Sequence, residues 1–272
     1  MTFGRKGLNK GANSRSRAPA ASSANESARA DAPPGHRNLL KLLESEEGNQ
    51  PHQRTQLAGK VVFDAVCEIL NSDKGVRIED LIAALAATGG LHCAFAALEA
   101  HAQLGPQAHE HDVVSVSGKD GLAYVFGNLP NQFLLESQFS LLSLAMGMAQ
   151  DCGAQVSMEQ AQAVMGRLAS RVGTPAFAQP DLPANHMPFE RPTTAALMFL
   201  PKLNQALQIY EVATAKRPEA MGFALQNALE LGKAAIDPNM AIKIVVEYAV
   251  PAARMDPRAL LDWDKAYGFQ PA

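Results

Sequence analysis

The residues of this chain best able to do chemistry are a cysteine and a group of histidines. Cys93 follows Gly89-Gly90 and precedes an apolar helical run. A thiol at the start of a helix has a lowered pKa and can serve as a nucleophile. A histidine near the residue-113 to residue-126 stretch would act as its base, and Asn128 or Asn131 would orient that ring. Against this, cysteine hydrolases build such sites on sheets of several strands. An isolated Cys in an apolar context is more often a small buried hydrophobe. Cys67 and Cys152 lie inside apolar helical runs and read as buried and inert.

The histidines are His101, His109 and His111, with Glu110 and Asp112 between and after them. Two residues at i and i+2 on an extended chain point the same way. With His101 or Asp112 they would offer three nitrogen or oxygen ligands to zinc or a similar divalent ion. The ordinary reading of Gln107 to Asp112 is an exposed polar loop, because no second ligand motif accompanies it. The acidic residues Asp237, Glu247, Asp256, Asp262 and Asp264 are not spaced for paired acid–base work. Asp237-Pro238 and Asp256-Pro257 instead read as helix caps followed by proline. Met146, Met148, Met158, Met165, Met187 and Met198 suit either core filling or an adaptable apolar groove. The nucleotide-binding glycine loops, the Gly-x-Ser-x-Gly elbow and Cys-x-x-Cys pairs are absent from the sequence, and no cofactor is expected.

The elements that must position these residues are mostly helical. Of the 272 residues, 47% are hydrophobic, 19% charged and only 6% aromatic. Ala and Leu dominate, which suits closely packed helices. One stretch breaks the pattern. Residues 113–117 alternate like a strand, Gly118-Lys119-Asp120-Gly121 turns, and residues 122–126 alternate again. That predicts one β-hairpin docked on a helical body. Val113, Val114, Val116, Tyr124, Val125 and Phe126 leave the buried face undecided, and Phe126 is the expected packing anchor. A two-stranded ribbon is marginal alone, so helices must cover it.

Residues 1–34 read as a disordered basic tail carrying Arg5, Lys6, Lys10, Arg15, Arg17 and Arg29, with too few large apolar residues to form a core. An anionic surface or an organellar import signal is the alternative use for such a tail. A short helix over 37–46 and a linker complete residues 1–54. The helical body spans 55–272, with helices expected over 55–70, 78–87, 91–104, 138–152, 157–172, 193–215 interrupted at Pro201, 218–235, 237–250 and 256–263. Gly89-Gly90 marks a break or a close helix approach. Ser157 with Gln160 fits a capping box. Residues 173–192 hold five prolines and read as an irregular strap.

The segments 124–131 (Tyr-Val-Phe-Gly-Asn-Leu-Pro-Asn), 172–177 (Val-Gly-Thr-Pro-Ala-Phe), Ile236-Asp237-Pro238 and Ala249-Val250-Pro251 resemble pieces of a family of uncharacterised bacterial proteins. The resemblance covers about 55–262 and implies no activity, cofactor or partner.

Net charge is -3 and the pI about 6.2, which does not suit nucleic acid. Three scattered cysteines fit a reducing compartment, so the cytoplasm is expected. No uninterrupted apolar run reaches the roughly 18 residues of a spanning helix, Leu134 to Met148 coming closest, and no membrane partner is expected. The expectation is a mainly α, non-catalytic cytosolic protein that binds a partner protein, a second copy of itself, or a small apolar ligand. The alternative is a hydrolase using Cys93, or a metal held by His101, His109 and His111.

Overall fold

The computed structural model describes residues 34–260. The predicted basic tail and the end of the predicted 256–263 helix, with Asp262 and Asp264, lie outside the described residues. The chain divides into two units at Glu46 and Glu47. In the first, the predicted short helix is present as α1 (Pro34–Glu46). The second holds α2 (Gln53–Leu70), α3 (Ile78–Leu104), the strands β1 (Val114–Ser117) and β2 (Ala123–Phe126), and the single-turn helix α4 (Asn128–Asn131). A π turn (Gln132–Glu136) follows, then α5 (Leu141–Asp151), α6 (Met158–Ala169), α7 (Pro192–Ile209), α8 (Arg217–Gly232) and α9 (Pro238–Ala252). The fold is mainly α with one antiparallel hairpin, as the sequence predicts.

Helix α3 is the centre of the second unit. Residues 81–94 are buried on every face of the helix, which is what an all-round apolar helix requires. Helices α7, α8 and α9 pack around it. By length and composition Ile78–Gln107 would also suffice to cross a membrane, but 89% of its most apolar window is buried inside the protein.

The expected break at Gly89-Gly90 does not occur: α3 runs through it. The pair marks the alternative, a close approach. A Cβ on Gly90 would stand 2.2 Å from the Ala249 carbonyl oxygen on α9, and one on Gly89 would meet Leu141 at 2.8 Å. Helix α7 likewise continues through Pro201, where the sequence predicts an interruption. The Asp237 cap forms as expected, whereas Ser157 caps its helix through Glu159 rather than in the predicted box with Gln160. Ser157 accepts from the Glu159 N–H, and Asp237 accepts from the Asn239 and Met240 N–H groups.

The hairpin register pairs Val114 with Phe126 and Val116 with Tyr124. Its burial corrects the expectation that one face docks. Tyr124 and Val125 point to opposite faces, and both are buried, at 1% and 0% exposed. β1 is the exposed outer edge. β2 is the inner strand because the chain after α9 pairs with its other side. The Val125 N–H donates to the Arg254 carbonyl at 2.7 Å, and the Asp256 N–H donates to the Ala123 carbonyl at 2.9 Å. Tyr124 meets the Phe177 ring edge-on at 4.5 Å. Phe126, the expected anchor, is only half-buried.

Candidate functional site

Continuity of α3 changes the meaning of Cys93. The residue sits inside a helix rather than at its start, and its side chain has no solvent exposure. Burial pushes the thiol well above its usual range, and the Arg254 charge does not offset this. A protonated thiol without solvent access is not a nucleophile. Cys67 and Cys152, expected to be the buried pair, are the two more accessible thiols, and burial raises them as well.

The histidine group does not form a metal centre. Among the described residues no set of three or more His, Cys, Asp or Glu side chains is placed to hold a metal ion. His101 is half-buried on the last turn of α3, and its Nδ1 has no hydrogen-bond partner. His109 and His111 are exposed. Asp112 is used locally, where its Oδ2 accepts from the His109 backbone N–H at 2.8 Å. His111 Nε2 stands 3.3 Å from Glu110. Carbonyls of His111 and Asp112 accept from the N–H groups of Asn128 and Leu129, tying this loop to α4.

The structure does gather Asn131 around a residue the sequence reading passed over. Arg254 is 4% exposed and donates from Nη2 to Asn131 Oδ1 at 2.5 Å. Its guanidinium lies over the Phe126 ring at 5.6 Å. Burial lowers its pKa to about 10. Asn131 therefore positions a structural arginine beneath the hairpin. Of the carboxylates, Asp237 and Asp256 cap helices as predicted, and buried Glu247 pairs with Arg167.

Two concavities stand elsewhere. The first is an apolar groove of about 140 Å³ with Leu70, Ala83, Phe189, Met198 and Phe199 in its lining and Asp80 at its edge. The strap predicted over 173–192 supplies Phe189. That strap is tied down along its end. Arg77 donates to the carbonyls of Met187 and Asn185, and the Phe189 N–H donates to Asp80 Oδ1 at 2.7 Å. His186 pairs with Glu79 at 3.0 Å, and the Tyr248 hydroxyl donates to the Glu190 carbonyl at 2.7 Å. On this fixed backbone the Phe189 ring is 87% exposed, and Met198 beside it is 43% exposed. No sequence signal sets Phe189 apart, because the same proline-rich segment also carries Phe177, Leu182 and Met187.

The second is a cleft of about 390 Å³ between residues 133–139 and the start of α8. Glu219 lies at its inner side, 4% exposed. Its Oε1 accepts from His52 Nδ1 at 2.6 Å and its Oε2 from Lys216 Nζ at 2.8 Å, while Thr55 Oγ1, 2.7 Å from Oε1, shares its one proton between that oxygen and the His52 carbonyl at 2.8 Å. Burial alone would raise this carboxyl, but these hydrogen bonds outweigh it and hold the pKa below its ordinary value. The His52 ring stacks on Phe139 at 3.8 Å. No sequence signal joins His52 and Thr55 to a glutamate more than 160 positions away.

The chain matches no family model, no curated protein and no solved structure.

Proposed function

We propose that this chain is a non-catalytic protein that binds a partner protein by taking one apolar side chain of the partner into the groove beside Phe189. The observation that carries this reading is the combination of an almost fully exposed aromatic ring with a backbone fixed by five hydrogen bonds and ion pairs. Exposed large aromatics beside a concavity favour association, and a preordered anchor loses little entropy on binding. The volume favours a single side chain over a drug-sized ligand. About 140 Å³ is close to the ~150 Å³ of a cavity that takes a benzene ring, and below the ~300 Å³ where small-molecule sites begin. One Leu or Phe side chain of a partner segment suits it.

The test is selection of displayed random peptides against the full chain. Binders rich in Leu or Phe are expected, and they should weaken about tenfold or more with Phe189→Ala or Met198→Glu, since a central aromatic anchor contributes ~2 kcal/mol or more. Both variants should melt like the parent. Selected peptides indifferent to both substitutions would refute the assignment.

A further inference from the structure

The cleft at Glu219 has a different chemistry from the groove. Its volume of about 390 Å³ falls within the roughly 300–1,000 Å³ of small-molecule sites. Phe133 and Phe139 line it, and the stacked His52 ring covers one face of Phe139 and holds it in place. The polar groups can be counted as donors and acceptors. Both oxygens of Glu219 are already engaged, Oε1 by His52 and the shared Thr55 hydroxyl and Oε2 by Lys216. Its side chain is 5% exposed, so it has little to offer a ligand cation. The Ser137 hydroxyl donates to the Gln132 carbonyl at 2.9 Å. Lys216 differs, because an ammonium has three donors, Glu219 takes one of them, and the side chain is 51% exposed. The Gln138 amide is exposed beside it. The cleft therefore offers aromatic side chains with unused donors and no unused carboxylate.

We propose that this cleft binds a small planar aromatic anion, with its ring against Phe133 and Phe139 and its carboxylate or comparable oxyanion on Lys216. The carboxylate of Glu219 holds the ammonium in place rather than competing with the ligand, because its own oxygens are already bonded. Recognition is by short-range donors, since the Lys216–Glu219 pair is neutral as a unit. The site is independent of the Phe189 groove.

The experiment is a chemical-shift titration of the isotope-labelled full chain with naphthoate and with naphthylmethylamine, which share a ring system and differ in charge. Naphthoate should bind saturably, with shifts at residues 133–139 and 215–219, and at least about tenfold tighter than the amine, as expected for one charge-assisted hydrogen bond. Lys216→Arg should keep that preference and Lys216→Gln should abolish it. Phe133→Ala should weaken both probes, and Phe189→Ala should change neither. The amine binding as tightly as naphthoate, or naphthoate giving no saturable shift at these residues, would overturn the proposal using the parent protein alone. So would a Lys216→Gln protein that melts normally and keeps the preference.

Discussion

Glu219 and His92 are both polar side chains carried into the helical body, and the fold treats them differently. Glu219 sits on the first turn of α8 and is met by His52, by Lys216 from the turn before α8 and by the shared hydroxyl of Thr55 on α2. His92 sits within α3 with no exposed surface, and neither ring nitrogen has a hydrogen-bond partner. Thr88, one turn earlier, is also fully buried, and its hydroxyl is unpartnered. The difference follows from position. Glu219 borders a cleft, where half-exposed His52 and Lys216 can reach it while keeping part of themselves in water. Thr88 and His92 belong to the fully buried part of α3, where no hydrogen-bond partner reaches them. Buried polar groups are inexpensive when paired and costly when not. One cluster therefore stabilises the fold, and the other is tolerated by it.

The largest expected effect separates the two by pH. Burial, with the Arg217 charge adding to it, lowers the His92 pKa from 6.5 to about 3. The unfolded chain then binds a proton that the folded chain refuses. Stability is complete above about 6.5 and declines as pH falls toward about 3, by up to about 1.4 kcal/mol per pH unit. Urea unfolding of the parent should weaken on going from neutral pH to about pH 5. His92→Leu should flatten that slope and be no less stable at neutral pH. An unchanged slope in the variant would show that another group sets the acid response.

Glu219→Ala comes next. It removes the bonds from Lys216 and His52 and the shared one from Thr55, and should cost about 2–3 kcal/mol in denaturant unfolding, discounted because Lys216 and His52 can return to water. Because hydrogen bonding holds the Glu219 carboxyl below its ordinary 4.5, its contribution is present above that pH and is lost only as pH falls below it. The two acid windows are thus offset. A Glu219→Ala protein as stable as the parent would mean that the cluster is merely compatible with the fold.

The threonines give the smaller and sharper contrast. Thr55→Val deletes one shared bond to a carboxylate and should cost about 1–2 kcal/mol. Thr88→Val removes a hydroxyl that is bonded to nothing, and should lie within about 0.5 kcal/mol of the parent or be more stable. Equal losses for the two valines, measured by thermal unfolding, would erase the distinction between the clusters.

Much of the scaffold is legible in the sequence. The alternation over 113–126 specified the hairpin, and Ser157 and Asp237 marked helix starts by offering side-chain oxygens to free N–H groups. Both are local signals, spanning a few residues. The sites were far less legible. Cys93 looked like a helix-start thiol because Gly89-Gly90 looked like a break, and only the approach of α9 explains why two glycines lie inside a continuous helix. The sequence left the hairpin face open because Tyr124 and Val125 are both apolar. Burial of both came from the chain after α9 pairing along the free edge of β2.

By itself, then, the sequence determined the element types, the caps, the turn at Gly118 to Gly121 and the mainly helical class. These depend on periodicity and on side chains that bond their own neighbours. Tertiary structure alone decided that Cys93 is buried, that His101, His109 and His111 share no metal site, that Glu219 meets His52 and Thr55, and that Phe189 is left in water. Each of those outcomes depends on which surfaces cover one another, across more than a hundred residues for Glu219 and Phe189, and no local pattern encodes that.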